Sequence, residues 1–308
     1  MDGVCPGGCP TDPDCVDTDA GMGGADAFVA STPVAVVGTA ATNTPADFAC
    51  AGANVAPTPG AAVAGTVEVQ AIGVTDFPVA MGDIEIYPGA TIRATCDGDC
   101  ISGTTDADGQ LDVTLPSGGW FGYRLAAAGT GASGSVPALG HFYPWGTEAG
   151  GTVTVTAISG VAANLIATQL NRELTADSTA VSGSVRDCDF EEVANLRIRF
   201  FRGDTEIVSG SRTDTTTPYI TGLSDAPIPS PSSSGLTAYS GRFAGILPAA
   251  GGAVRIEAWG VTTEGGAAEL VGCEEVLVEG GTVTVAVVPA LRSDADYGAS
   301  HSCAGRGE

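Results

Sequence analysis

The chain of 308 residues is long enough for two domains of ordinary size, which hold about 100 to 150 residues each. A formal net charge of −24 excludes nucleic acid as a partner, because phosphate binding rests on basic residues that release counterions. No run of about eighteen apolar residues occurs, so no segment reads as a membrane-spanning helix.

The first fifteen residues carry Cys5, Cys9 and Cys15 among prolines and aspartates, so an element there depends on crosslinks or a metal rather than on a core. Met1 is followed directly by Asp2 and Gly3, without the basic start and apolar stretch of a signal peptide. From Val16 to about Pro59 the chain is rich in Ala, Thr, Pro and Gly, and reads as a linker that becomes ordered near Cys50. Short runs rich in Val, Ile, Thr and aromatics follow, separated by Gly, Asp and Pro: Asp83 to Tyr87, Ala90 to Thr95, Gln110 to Leu115, Asn195 to Phe201, Ala253 to Trp259. That is the pattern of an antiparallel all-β protein. One helix is expected near Val161 to Glu173, where Val161, Leu165, Ile166 and Leu170 share a face suited to the seam between domains.

An internal repeat organises these runs. Val63-Ala64-Gly65-Thr66-Val67 is echoed by Val181-Ser182-Gly183-Ser184-Val185, and Gly109-Gln110-Leu111 with Leu115-Pro116 by Gly241-Arg242-Phe243 with Leu247-Pro248. Tyr123-Arg124-Leu125 matches Val254-Arg255-Ile256, and Gly150 to Val155 recurs unchanged as Gly280 to Val285. Most of the change in spacing is one insertion between Thr213 and Gly235, whose Thr, Ser and Pro read as a long solvated loop. The expected division is a tail and linker over 1–60, a first β-sandwich over 61–158, a helix and linker over 159–179, a second sandwich over 180–292 and a tail over 293–308.

The Gly-x-Val first strand, Thr104 to Leu111 with its Asp-Ala-Asp-Gly turn, Leu115-Pro116 and the aromatic strand beyond resemble the carboxypeptidase regulatory-like domain of transthyretin-type topology. The second copy is similar through Ser240 to Phe243 and Leu247-Pro248, although Ala238, Tyr239 and Ser240 replace the acidic turn. The resemblance covers roughly Ala61 to Thr156 and Val181 to Val288. It implies tandem seven-stranded β-sandwiches serving as structural or binding appendages without catalytic residues. The Cys-rich start, linker and tandem modules also resemble surface lipoproteins of myxobacteria and their relatives. A neighbouring family, the collagen-adhesin B-type domains, joins Lys to Asn as an internal isopeptide, which a chain without lysine cannot do.

Nine cysteines imply an oxidising compartment, hence secretion or the cell surface, with one cysteine left over by the odd count. Cys96 and Cys100 flank Asp-Gly-Asp at the spacing of a hairpin-tip disulfide, and strand placement suggests a bridge between Cys188 and Cys273. The pairing of Cys5, Cys9, Cys15, Cys50 and Cys303 stays open. Zinc lacks ligands, since only His141 and His301 exist. Asp106 and Asp108 resemble part of a calcium loop, but the turn reading is favoured: Asp caps the backbone and Gly109 takes a positive φ. Asp12, Asp14, Asp17 and Asp19 form a denser acidic string, read as a solvated tail with calcium as the sharper alternative. Trp120, Tyr123 and Trp145 lie in two aromatic clusters able to stack on a ligand, with core packing as the default. The leading reading is a non-enzymatic surface spacer, adhesin or scaffold contacting protein or glycan, without a cofactor. A carbohydrate-binding protein and an enzyme with an unrecognised carboxylate site are the alternatives.

Overall fold

The computed structural model describes residues 38–39, 46–52, 59–72, 76–89, 96, 98, 100–129, 134–146, 149–225, 230–248, 251–297 and 301–306. Strand Ala90 to Thr95, Cys5, Cys9, Cys15, Asp12, Asp14, Asp17 and Asp19 lie outside the described residues.

The first sandwich starts with β2 (Ala62–Ile72), whose Val67, Val69 and Ala71 are fully buried while Thr66, Glu68 and Gln70 face outward. This period-2 alternation fixes the register, because a slip of one would turn the apolar set to water. On one edge β2 pairs antiparallel with β3 (Phe77–Pro78) and β6 (Gln110–Pro116), and on the other it pairs in parallel with β9 (Thr152–Ile158). The facing sheet runs β5 (Ile101–Thr104), β4 (Asp83–Pro88), β7 (Trp120–Leu125), β8 (Ala138–Pro144), all antiparallel. Ile84, Ile86, Leu115, Phe121, Tyr123 and Leu125 fill the space between, each such side chain contributing about 1.5–3 kcal/mol by burial.

The helix α1 (Gly160–Gln169) follows, its first turn closed by Ser159, whose hydroxyl accepts the Ala162 amide at 3.1 Å. Its buried face is Ala163, Ala167 and the adjoining Leu170, with Ile166 half-buried; Val161 and Leu165 point to solvent, contrary to the expected face. Ala163 and Leu170, with Ile166, join Ala244, Ile246 and Val283 of the second sandwich in one apolar cluster.

The second sandwich repeats the plan. β10 (Ser178–Val185) pairs antiparallel with β15 (Arg242–Pro248) and in parallel with β18 (Val283–Val288). Opposite lie β13 (Thr205–Glu206), β12 (Arg197–Arg202), β16 (Gly252–Gly260) and β17 (Glu269–Val278). So the sandwiches are antiparallel except for the first and last strands of each, which run side by side in parallel. The insertion is not wholly a loop: β14 (Tyr219–Gly222) within it pairs with the free edge of β15. Ile220 packs on the core, and Tyr219 lies under the Arg172 guanidinium. Those apolar contacts outweigh the turn-forming composition around them.

The segment expected as linker docks on the second sandwich. β1 (Gly38–Thr39) pairs with β11 (Val193–Ala194), Ala46 and Phe48 pack against the second core, and the Gly52 amide donates to the Leu291 carbonyl at 2.9 Å. A disulfide joins Cys50 to Cys188 across 138 residues, enclosing the whole first sandwich in one covalent loop. A short helix α2 (Asp294–Tyr297) begins a C-terminal strap that Cys303 fastens to Cys273.

Candidate functional site

The two sandwiches meet edge to edge. β8 of the first pairs in parallel with β18 of the second, Ala138 to His141 opposite Val283 to Ala286, so one sheet of eight strands crosses the whole molecule. The Val283 amide donates to the Pro137 carbonyl at 3.0 Å, and His141, 3% exposed, accepts the Leu277 amide of β17 at its Nε2 at 3.3 Å. That bond places the proton of a neutral His141 on Nδ1.

Charged and aromatic pairs flank this joint. The Arg124 guanidinium on β7 donates to both carboxylate oxygens of Glu279 beyond β17, at 2.6 and 2.8 Å, and lies 3.4 Å from Glu85. The bond to Glu279, opposed by partial burial, raises the Arg124 pKa further above its usual range. Tyr87 donates to Glu85 at 2.5 Å, and its phenol is pushed up by burial and then by that carboxylate. At the other end of the joint the rings of Trp120 and Phe190 lie 5.6 Å apart, with Arg186 over Phe190. Beside the ion pair opens a cleft of about 610 Å³, lined by Asp83, Glu85, Thr104, Arg124, Ala138 and Glu279. Three carboxylates surround one guanidinium there, so its potential is negative.

A second cluster lies under the C-terminal strap. Arg255 and Glu257, 2% and 3% exposed, are paired at 2.8 Å; Glu257 also accepts the Trp259 indole at 2.9 Å, and Arg255 donates to the Gly203 carbonyl at 2.9 Å. Glu274, 4% exposed, receives Arg292 at 2.8 Å and His301 Nε2 at 3.2 Å, while His301 Nδ1 accepts the Cys303 amide. Tyr297 stacks on His301 at 4.7 Å and donates to the Cys273 carbonyl at 2.9 Å; burial pushes its phenol up to about 12. Each carboxylate in this cluster is matched by a cation or a donor, the condition under which buried charge is tolerated.

Cys96 and Cys100 are joined, Cα atoms 5.6 Å apart. Cys188 and Cys273 are not joined to each other: Cys188 takes Cys50 and Cys273 takes Cys303. Strand order could not reveal this, because both partners come from segments outside the sandwich. Asp106 accepts the amides of Asp108 and Gln110, each at 2.9 Å, and Gly109 has φ +76°, the geometry of a capped turn. Among the described residues no group of three His, Cys, Asp or Glu is arranged to hold a metal ion. The stacking reading is corrected for two rings: Tyr123 is fully buried with its hydroxyl on the Thr156 carbonyl, and Trp145 is 4% exposed against Phe121. Trp120 is half-buried against Phe190. The arginine that Tyr-Arg-Leu shares with Val-Arg-Ile is a sequence signal for Arg124, whereas no motif marks Glu279. In the first copy the arginine bridges to the neighbouring sandwich, and in the second it holds Glu257.

No family model matches the sequence, and no curated protein matches it. Among solved structures, a double mutant of the shaft pilin SpaA from Lactobacillus rhamnosus GG is similar at 14% identity over 76% of this chain and 98% of that one, with a TM-score of 0.25. GBS52, the minor pilin of Streptococcus agalactiae, is 11% identical over 75% and 96%, TM-score 0.22. The Bacillus anthracis TIE protein is 14% identical over 74% of this chain, which spans about a third of that protein (34%), TM-score 0.22. At such scores these likenesses add nothing to the β-sandwich architecture that the strands themselves define.

Proposed function

We propose that the chain is a non-catalytic structural or adhesive module of the secreted or cell-surface class, two sandwich domains over 61–158 and 180–292 held as one stiff unit. The observation that supports this reading is the joint: a shared sheet, the Arg124–Glu279 pair and the Trp120–Phe190 ring contact hold the sandwiches at three places. Paired disulfides suit an oxidising compartment. The short motifs similar to carboxypeptidase regulatory-like domains agree with such an appendage, and a protein surface is the partner class that the reading implies. The test is the intact mass of unreduced protein from its native host after alkylation of free thiols. One adduct or none is expected; adducts on most of the nine cysteines would remove the extracellular assignment.

A further inference from the structure

The joint uses two different edges, β8 of one sandwich and the last strand of the other, so it is heterologous and does not use itself up. Each sandwich carries both edges. The first therefore leaves its own last strand, β9, and the second leaves its own β8 counterpart, β17.

The cross-strand registers define the equivalence. Ala138 and Leu139 lie opposite Leu125 and Arg124; Glu274 and Glu275 lie opposite Ile256 and Arg255. Where the first copy places buried Ala138 beside Val283, the second places Glu274. The edge of β17 is then closed group by group. The Glu275 amide donates to the Glu274 carboxylate at 3.0 Å, the Cys273 carbonyl accepts Tyr297, and the Val271 carbonyl accepts the Leu291 amide at 2.9 Å. A bridge sets Gly272 against Ala290, and the disulfide holds the strap in place. An inward charge and a covering segment are the devices by which edges are kept from pairing.

The outer edge of β9 is covered toward its C-terminal end, where the Tyr123 hydroxyl, the Val136 amide and a bridge between Ser135 and Ser159 lie against it, but not at its start. Gly151 turns its carbonyl to β2, whereas the carbonyls of Thr156 and Ile158 face away, accepting the Tyr123 hydroxyl and the Val136 amide. Thr152 and Thr154 share that outward parity, and both are exposed. Among the described residues β9 pairs with β2 alone.

We propose that the joint is a repeatable head-to-tail interface, in which the outer edge of β9 at Thr152 and Thr154 is the free half and the strap residues 290–297 and 301–306 cap the other half. The cap prevents a second copy of this chain from pairing its β9 against β17 at residues 273–275, the counterparts of 137–139; Leu277, the counterpart of His141, already donates its amide to His141. The test is the full chain carrying Cys273→Ser, Glu274→Ala and Cys303→Ser, followed by light scattering over a concentration series. The intact chain is expected to stay monomeric, and the opened variant to at least double its mean mass in whole multiples of the chain. Adding Thr154→Pro, which removes an outward edge donor, should return it to monomer. An opened variant that keeps its near-ultraviolet dichroism yet stays monomeric would overturn the proposal, as would assembly indifferent to Thr154→Pro. If the opened variant does not fold, the intact chain is titrated with a labelled peptide of residues 137–144. One-to-one binding lost on Thr154→Pro supports the free edge; no binding refutes it.

Discussion

Asp106, Asp187 and Asp225 each fold a turn by offering a carboxylate to backbone amides. Asp187 accepts from Asp189 and Glu191 at 3.1 and 2.9 Å, repeating the Asp106 pattern, but Phe190 holds φ +65° where the other turn has Gly109. A bulky side chain in that region is strained; there the Phe190 ring lies 5.6 Å from Trp120 across the joint. Asp225 serves the 238–241 turn from outside it, accepting the amides of Tyr239 and Ser240 at 2.9 Å each. Partial burial pushes its carboxyl up, but the contacts with Ser240, the Tyr239 amide and the charge of Arg242 hold it below its ordinary value. A carboxyl depressed in the folded state stabilises above its unfolded pKa and loses that contribution as pH falls through the folded value. Asp225→Ala should therefore cost about 1 kcal/mol at pH 7. The gap from the parent should close below about pH 3.9. Urea melts at pH 7 and pH 3 check this; an unchanged gap would mean that the carboxylate charge is irrelevant.

At the scale of elements, the strands were legible because Val, Ile and aromatics alternate with polar residues, as along β2. Their pairing was not. Val67 lies opposite Leu111, whereas Gly183 lies opposite Phe243, so Gly183 rather than Val185 stands in the place of Val67. A shift of two leaves every side chain on its face, and alternation cannot detect it. The unchanged Gly-Gly-Thr-Val-Thr-Val goes further: Val153 and Val155 face the first core, while Val283 and Val285 face α1. In β18 Thr284 turns inward instead, fully buried, with its hydroxyl on the Leu277 carbonyl at 3.0 Å. Both faces of that strand are covered, so either valine set can be buried. Cys50 was also opaque, because its partner is 138 residues away with a whole sandwich between. In the chain-entropy account a loop of that length stabilises by about 5 kcal/mol, and by less if the first sandwich stays folded inside it. Cys50→Ser with Cys188→Ser should cost about 3–5 kcal/mol in urea unfolding, with the second sandwich as the part that loosens. Amide exchange rising at Ala194 and Leu196 but not at Val67 would show it; uniform loosening would argue against local docking.

For the whole molecule the question is what keeps the two sandwiches in one orientation. The parallel ladder between β8 and β18 spans four residues on each side, short for a joint between bodies of this size. Glu279 lies in the turn leading into β18, beside the start of that ladder, and receives both arms of Arg124. Both partners keep partial solvent contact, at 21% and 30% side-chain exposure, so the pair is worth about 1 kcal/mol at most after screening. Its larger role is geometric, since a bidentate guanidinium fixes direction as well as distance. Arg124→Ala should then leave the melting temperature within a few degrees of the parent while widening the range of angles between the sandwiches. Small-angle scattering separates the two effects: the radius of gyration and maximum dimension should broaden for the variant and stay fixed for the parent. A variant as rigid as the parent would assign the orientation to the ladder, the His141–Leu277 bond and the Trp120–Phe190 contact instead.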